Sequence, residues 1–405
     1  MTLFDWSILA IAALLTGVSM MPRLRNNRWW TATVTPLASI IGSGFLVVAP
    51  LLASVAGSYA LAAMLLIVVL AYFIGAVIRF NIRHAEPLES SGQGPAGLRH
   101  AARLSGIGLT LAYVISVAFY IRLLASFALS MTPFASGYYE DWLATLILLA
   151  IALIGWFRGL RGLEIVETIS VSVKLSIIVA LLAALAWFNL GNGEWSAELT
   201  PEDAGFWTRL QMLGGMLLVV QGFETSRYLG GAYPPEMRRT TMRWAQIASG
   251  LIYVGFVALV VPLLSHLPPG KPDETAIITI TGHVAWVLPF LLILAALMSQ
   301  LSAGIADTVG AGGLVVEETG RRMSERHAYP VLIACSVALI WLFDIFQVIA
   351  IASRAFAFYY LMQTLIALMV SGQVLAGTQK RWAQGGFATL AVLLALIVIF
   401  ALPAE

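Results

Sequence analysis

Charge, cysteine and histidine are what this chain is short of. Only 11% of its 405 residues are charged, against 60% hydrophobic, and the mean hydropathy is +0.89. That is more apolar surface than a soluble core of this size can hide, so the chain is expected to be a polytopic membrane protein embedded in a lipid bilayer. The single cysteine, Cys335, lies in an apolar run, which excludes a disulfide or thiolate metal site within one chain. Five histidines, at 84, 100, 266, 283 and 327, fall in or beside loops without metal-ligand spacing, which argues against a metalloenzyme. No nucleotide loop, soluble domain or low-complexity tract is present, and no cofactor is implied. The net charge of +2 comes from short loop clusters rather than a stripe, so nucleic acid is not an expected partner.

Long apolar runs are what the chain has in abundance. About 20 apolar residues cross a bilayer, and on that measure twelve spans are expected near 4–21, 30–57, 60–80, 106–131, 142–157, 164–189, 207–230, 243–265, 278–303, 328–344, 347–372 and 384–402. The first has no positive n-region and no small-residue cleavage site. It is followed by Arg23, Arg25 and Arg28, and is read as a retained extra span with the N-terminus outside. Of the 23 lysines and arginines, seventeen fall in loops assigned inside, two in loops assigned outside and four within spans. This bias orients the chain; the expected location is a plasma membrane, the bacterial inner membrane.

Two of these spans are weakened at their centres. One reads Ile41-Gly42-Ser43-Gly44; the other reads Gln221-Gly222-Phe223-Glu224 followed by Thr225, Ser226 and Arg227. Glycine costs about 1 kcal/mol against alanine inside a helix. The two stretches head units of five spans each, over 30–189 and 207–372. Five is odd, so the second unit starts from the opposite face. Paired interrupted helices heading inverted repeats point to a secondary transporter's binding site. Ile41, Gly42, Ser43, Gly44, Gln221, Gly222, Phe223 and Glu224 are therefore the candidate substrate-binding residues, with freed N–H groups suited to a carboxylate. Close packing through small residues is the competing explanation for the glycines.

Six ionisable residues lie within spans: Arg122, Lys174, Glu224, Arg227, Asp307 and Arg354. Such groups are costly in lipid and default to functional candidates. Glu224 and Arg227 sit one turn apart, so they either pair or leave Glu224 to face the site. Arg122 and Arg354 read as interior ties to backbone carbonyls. Glu167 and Lys174 share a helical stripe with Glu164 and Val171, a candidate proton path. Lys174, Asp307 and Glu167 are the candidate ion-coupling residues, Lys174 and Asp307 as a coupling pair or a static salt bridge. Four positive and two negative charges leave a surplus of +2, which favours a substrate carrying a carboxylate. Tyr113, Tyr120, Phe223, Tyr359 and Tyr360 are candidate cavity walls or ordinary packing.

Three stretches, "IIGSGF", "GLEIVETISVSVKLSIIVALL" and "GFETSRYLGGAYPPEMRR", resemble the amino acid–polyamine–organocation transporters. The resemblance implies an all-α, five-plus-five inverted-repeat bundle, the fold of the leucine transporter. It also implies that a lysine at 174 occupies the place where sodium binds in relatives. The extra N-terminal span, "RYLGGAYPPEMRR" and "LSAGIADTVGAGGLVVE" resemble sodium–solute symporters, which share that fold. The expected function is alternating-access transport of a small organic solute, an amino acid, coupled to protons. The alternatives are sodium coupling, with Asp307 and nearby hydroxyls as the ion site, and a non-transporting sensor. A channel would need a carbonyl filter or charged ring, and an intramembrane enzyme a nucleophile with its base; neither is visible.

Overall fold

The computed structural model describes residues 1–42, 44–160, 164–192, 204–266 and 275–403. Among them the regular structure is helical. The elements are α1 (Leu3–Ser19), α2 (Pro22–Arg25), α3 (Arg28–Ile40), α4 (Gly44–Ala56), α5 (Ala60–Ser91), α6 (Leu98–Leu129), α7 (Gly137–Phe157), α8 (Glu164–Asn192), α9 (Phe206–Gly215), α10 (Thr225–Tyr228), α11 (Pro235–Val260), α12 (Ala276–Val284), α13 (Leu288–Glu318), α14 (Glu325–Leu342), α15 (Ile345–Val374) and α16 (Gly377–Phe400). Local chemistry sets several of the starts. The Asn27 side chain accepts from the amides of Trp29 and Trp30 to open α3, and reciprocal capping boxes open α1 at Thr2–Asp5 and α15 at Asp344–Gln347.

Among the described residues eight stretches are long and apolar enough to cross a membrane. They answer to eight of the twelve expected spans. The four others are shorter or more polar: α1 has 17 residues, α14 begins with the polar Glu325, Arg326 and His327, and the two weakened spans are split into α3 with α4 and α9 with α10. The expected span 278–303 is displaced. Its first part is the separate helix α12, and the spanning helix starts at Leu288 and continues to Glu318. Ala285 is extended, at φ −157° and ψ 142°, and ends α12 where hydropathy alone shows no boundary.

Helices of the first expected unit, 30–189, pack on helices of the second, 207–372. α5 lies against α11, α6 against α13, and α7 against α14, while α3 and α4 meet α10 and the turn at Leu217–Val220. In addition α8 packs on α13, and α15 on α6. α16 is added against α15, and α1 against α8. The two weakened helices pack against α5, α8, α11, α12 and α15.

Candidate functional site

α3 ends at Ile40, its cap Ile41 leaves the helical region at φ −82° and ψ 60°, and α4 begins at Gly44. In the other weakened span α9 stops at Gly215, a 3-10 turn covers Leu217–Val220, and helix resumes at Thr225. The two interruptions touch. A Cβ built on Gly44 would stand 2.6 Å from the Cα of Val219, and one on Gly222 would stand 2.5 Å from the carbonyl carbon of Ser39. Gly222 also has φ +115°, which side-chain-bearing residues rarely adopt. These two glycines let one broken main chain lie directly on the other. Gly44 thus faces protein backbone rather than open space, so the close-packing explanation holds at that position.

Breaking a helix frees backbone carbonyls that need donors. Tyr253 on α11 reaches both breaks: its hydroxyl, with one hydrogen to donate, is 3.0 Å from the Ile40 carbonyl and 2.6 Å from that of Val219. Sequence reasoning missed Tyr253, because one tyrosine in an apolar run looks the same as a packing residue. Gln221 donates to the Tyr120 hydroxyl at 2.6 Å. Glu224 is fully buried and accepts from the Gly222 amide at 2.9 Å and the Tyr360 hydroxyl at 2.8 Å. Phe223 stacks on Tyr360 with centroids 5.3 Å apart. Ile41 is buried, Gly42 lies between the two halves, and Ser43 is outside the described residues.

Glu224 and Arg227 do not pair. Arg227 reaches the other way, to Glu89 at 3.3 Å and to the Gln363 side-chain carbonyl, which leaves Glu224 turned toward Tyr360 and the break. Arg122 binds the Phe343 carbonyl at 2.7 Å and Asp141 at 2.9 Å, and Arg354 binds the Ala401 carbonyl at 2.9 Å. All three arginines are therefore engaged elsewhere. The expected positive surplus is therefore not gathered at the cavity, since none of the three lines it among the described residues.

A cavity of about 490 Å³ begins on one side of the breaks. Ser39 and Thr225 line it beside the interruptions, and Lys174, Tyr113 and Asp307 form its walls. Its lining continues to Glu317 on α13 and Glu325 on α14, which flank the loop carrying Arg321 and Arg322. Among the described residues none from α4 or α9 lines it. The cavity thus lies on the arginine-rich side. A wider vestibule of about 1210 Å³ adjoins it there and shares Tyr228, Leu314 and Glu317 with it.

Lys174 is 3% exposed and donates to the Ala38 carbonyl at 2.7 Å and to the Ser299 hydroxyl at 3.2 Å. It bridges the last turn of α3 to α13. Asp307 accepts from Ser116 on α6 at 2.5 Å. Lys174 and Asp307 share the cavity but form no ion pair with each other, so the static salt bridge is absent. The side chain of Glu167 lies outside the described residues. Among those described, no group of three or more acidic, histidine or cysteine side chains is arranged to hold a metal.

A family model described as an APC superfamily transporter matches residues 22–401. An uncharacterized protein of Aquifex aeolicus (strain VF5) is 48% identical over 374 residues, covering 92% of this chain and 91% of the relative. The match spans both broken helices, the lysine-bearing α8 and the cavity between them, and on that ground the chain belongs to the APC superfamily of transporters.

Proposed function

We propose that this transporter is a secondary carrier of a small amino acid-like solute, working by alternating access and driven by protons. The observation that carries the reading is the Lys174 ammonium, held between the Ala38 carbonyl beside one break and the Ser299 hydroxyl of α13. A carbonyl and a hydroxyl arranged this way are oxygen ligands that a cation would use, and here a side-chain cation takes them. A buried lysine can exchange its proton when its surroundings change. Losing that proton weakens its hold on Ala38, and so biases how α3 sits against α13. Ser39 and Thr225 bring the two breaks to the head of the cavity, where the solute's carboxylate is accommodated.

Proteoliposome counterflow tests the reading. Saturable exchange of labelled amino acid is expected, with accumulation that follows an inward proton gradient in sodium-free buffer. Binding without exchange would indicate a sensor. Uptake that needs sodium and survives collapse of the proton gradient would favour the symporter alternative, with Lys174 only a counter-charge.

A further inference from the structure

The intramembrane charges distribute themselves otherwise than their formal sum suggests. Arg122, Arg227 and Arg354 are held by Asp141, Glu89 and the Ala401 carbonyl, and none of the three lines the central cavity. Near the breaks, among the described residues, that leaves Lys174 as the cation, engaged by the Ala38 carbonyl and the Ser299 hydroxyl. Beside the breaks stand Glu224 and Asp307, while Glu317 and Glu325 line the far end of the cavity. Glu224 has one carboxylate oxygen, Oε1, buried without a hydrogen-bond partner. Asp307 lines the cavity, is 7% exposed, and its hydrogen bond comes from the neutral hydroxyl of Ser116. A carboxylate withdrawn from water is costly to keep with one neutral donor, and a cation relieves that cost.

We propose that Asp307, together with Ser116, is the subsite for a cationic side-chain group of the transported solute, which makes a basic amino acid the preferred cargo. The inference rests on the carrier reading and narrows its substrate class. Tyr113, one turn before Ser116 on α6, also lines the cavity. It offers an aromatic wall beside the carboxylate, a surface on which a guanidinium stacks. The cavity volume of about 490 Å³ falls within the range of small-molecule sites. In this arrangement the solute's carboxylate faces the break and its side chain points along α13 toward Asp307.

Arginine and citrulline test this, being nearly isosteric and differing in side-chain charge. Thermal-shift titration of the purified full-length protein reads binding without needing transport. The expected result is that arginine binds roughly ten- to a hundredfold more tightly than citrulline, the range a charge-assisted hydrogen bond gives. In Asp307→Asn the ratio should collapse toward one. Equal binding of the two by the wild-type protein would overturn the proposal, and that comparison needs no variant. An arginine preference that survives Asp307→Asn intact would also overturn it, placing the cation elsewhere. Failure of counterflow with arginine binding retained would instead count against the carrier reading and leave the subsite standing.

Discussion

Individual side chains here do work that their formal charge does not reveal. Lys174 joins Ala38 to Ser299, so Lys174→Ala is expected to remove proton-driven accumulation while leaving part of the exchange of bound solute. Vesicle uptake with and without a pH gradient checks this, and full retention of gradient-driven uptake would count against a coupling role. At Gly222 both the φ of +115° and the proximity of Ser39 exclude a side chain. Gly222→Leu should therefore lower the thermal midpoint as well as transport, since backbone strain of this kind costs about 1–3 kcal/mol before any clash is counted. Composition and position identified these residues as unusual. They did not identify partners: Glu224 and Arg227 are neighbours in sequence, yet Arg227 bonds to Glu89 and Gln363, which are 138 and 136 residues away. Pairing over such separations depends on how helices are rotated, which a periodicity does not specify.

At the scale of elements, both breaks could be read from glycine and polar residues placed where apolar helix is expected. Less legible was how the breaks are secured. The Tyr253 hydroxyl faces the Ile40 and Val219 carbonyls together. Tyr253→Phe should leave at least one buried carbonyl without its donor, at about 1–3 kcal/mol, and lower the thermal midpoint with little effect on membrane insertion. An unchanged midpoint would show that the two breaks hold together without it. The lower halves of the broken helices are also tethered differently. α10 is held through Arg227 to Glu89 on α5, and Arg238 on α11 bonds both the Arg227 carbonyl and Glu86 of α5. α3 is linked to α8 by the Lys174–Ala38 bond. Glu89→Gln is expected to raise hydrogen exchange over 225–232 more than over 33–41. Equal change in both segments would contradict this division. The boundary between α12 and α13 was misplaced because apolar residues run through both, and a helix end inside such a run leaves no mark in hydropathy.

The whole molecule places two touching helix breaks above a cavity that leads to the arginine-rich side. The central claim is that this cavity opens to one side at a time and that solute controls which. Ser39 lies at its head, beside both breaks, and the chain's one cysteine, Cys335, can be replaced to give a clean background. The direct measurement is the reaction rate of Ser39→Cys, in that background, with a membrane-impermeant thiol reagent added to either face of oriented proteoliposomes. Without solute, labelling should come from the arginine-rich side alone. A saturating solute together with a proton gradient should slow it and make the site reachable from the opposite side. Simultaneous labelling from both faces, or a rate that no solute alters, would contradict the account.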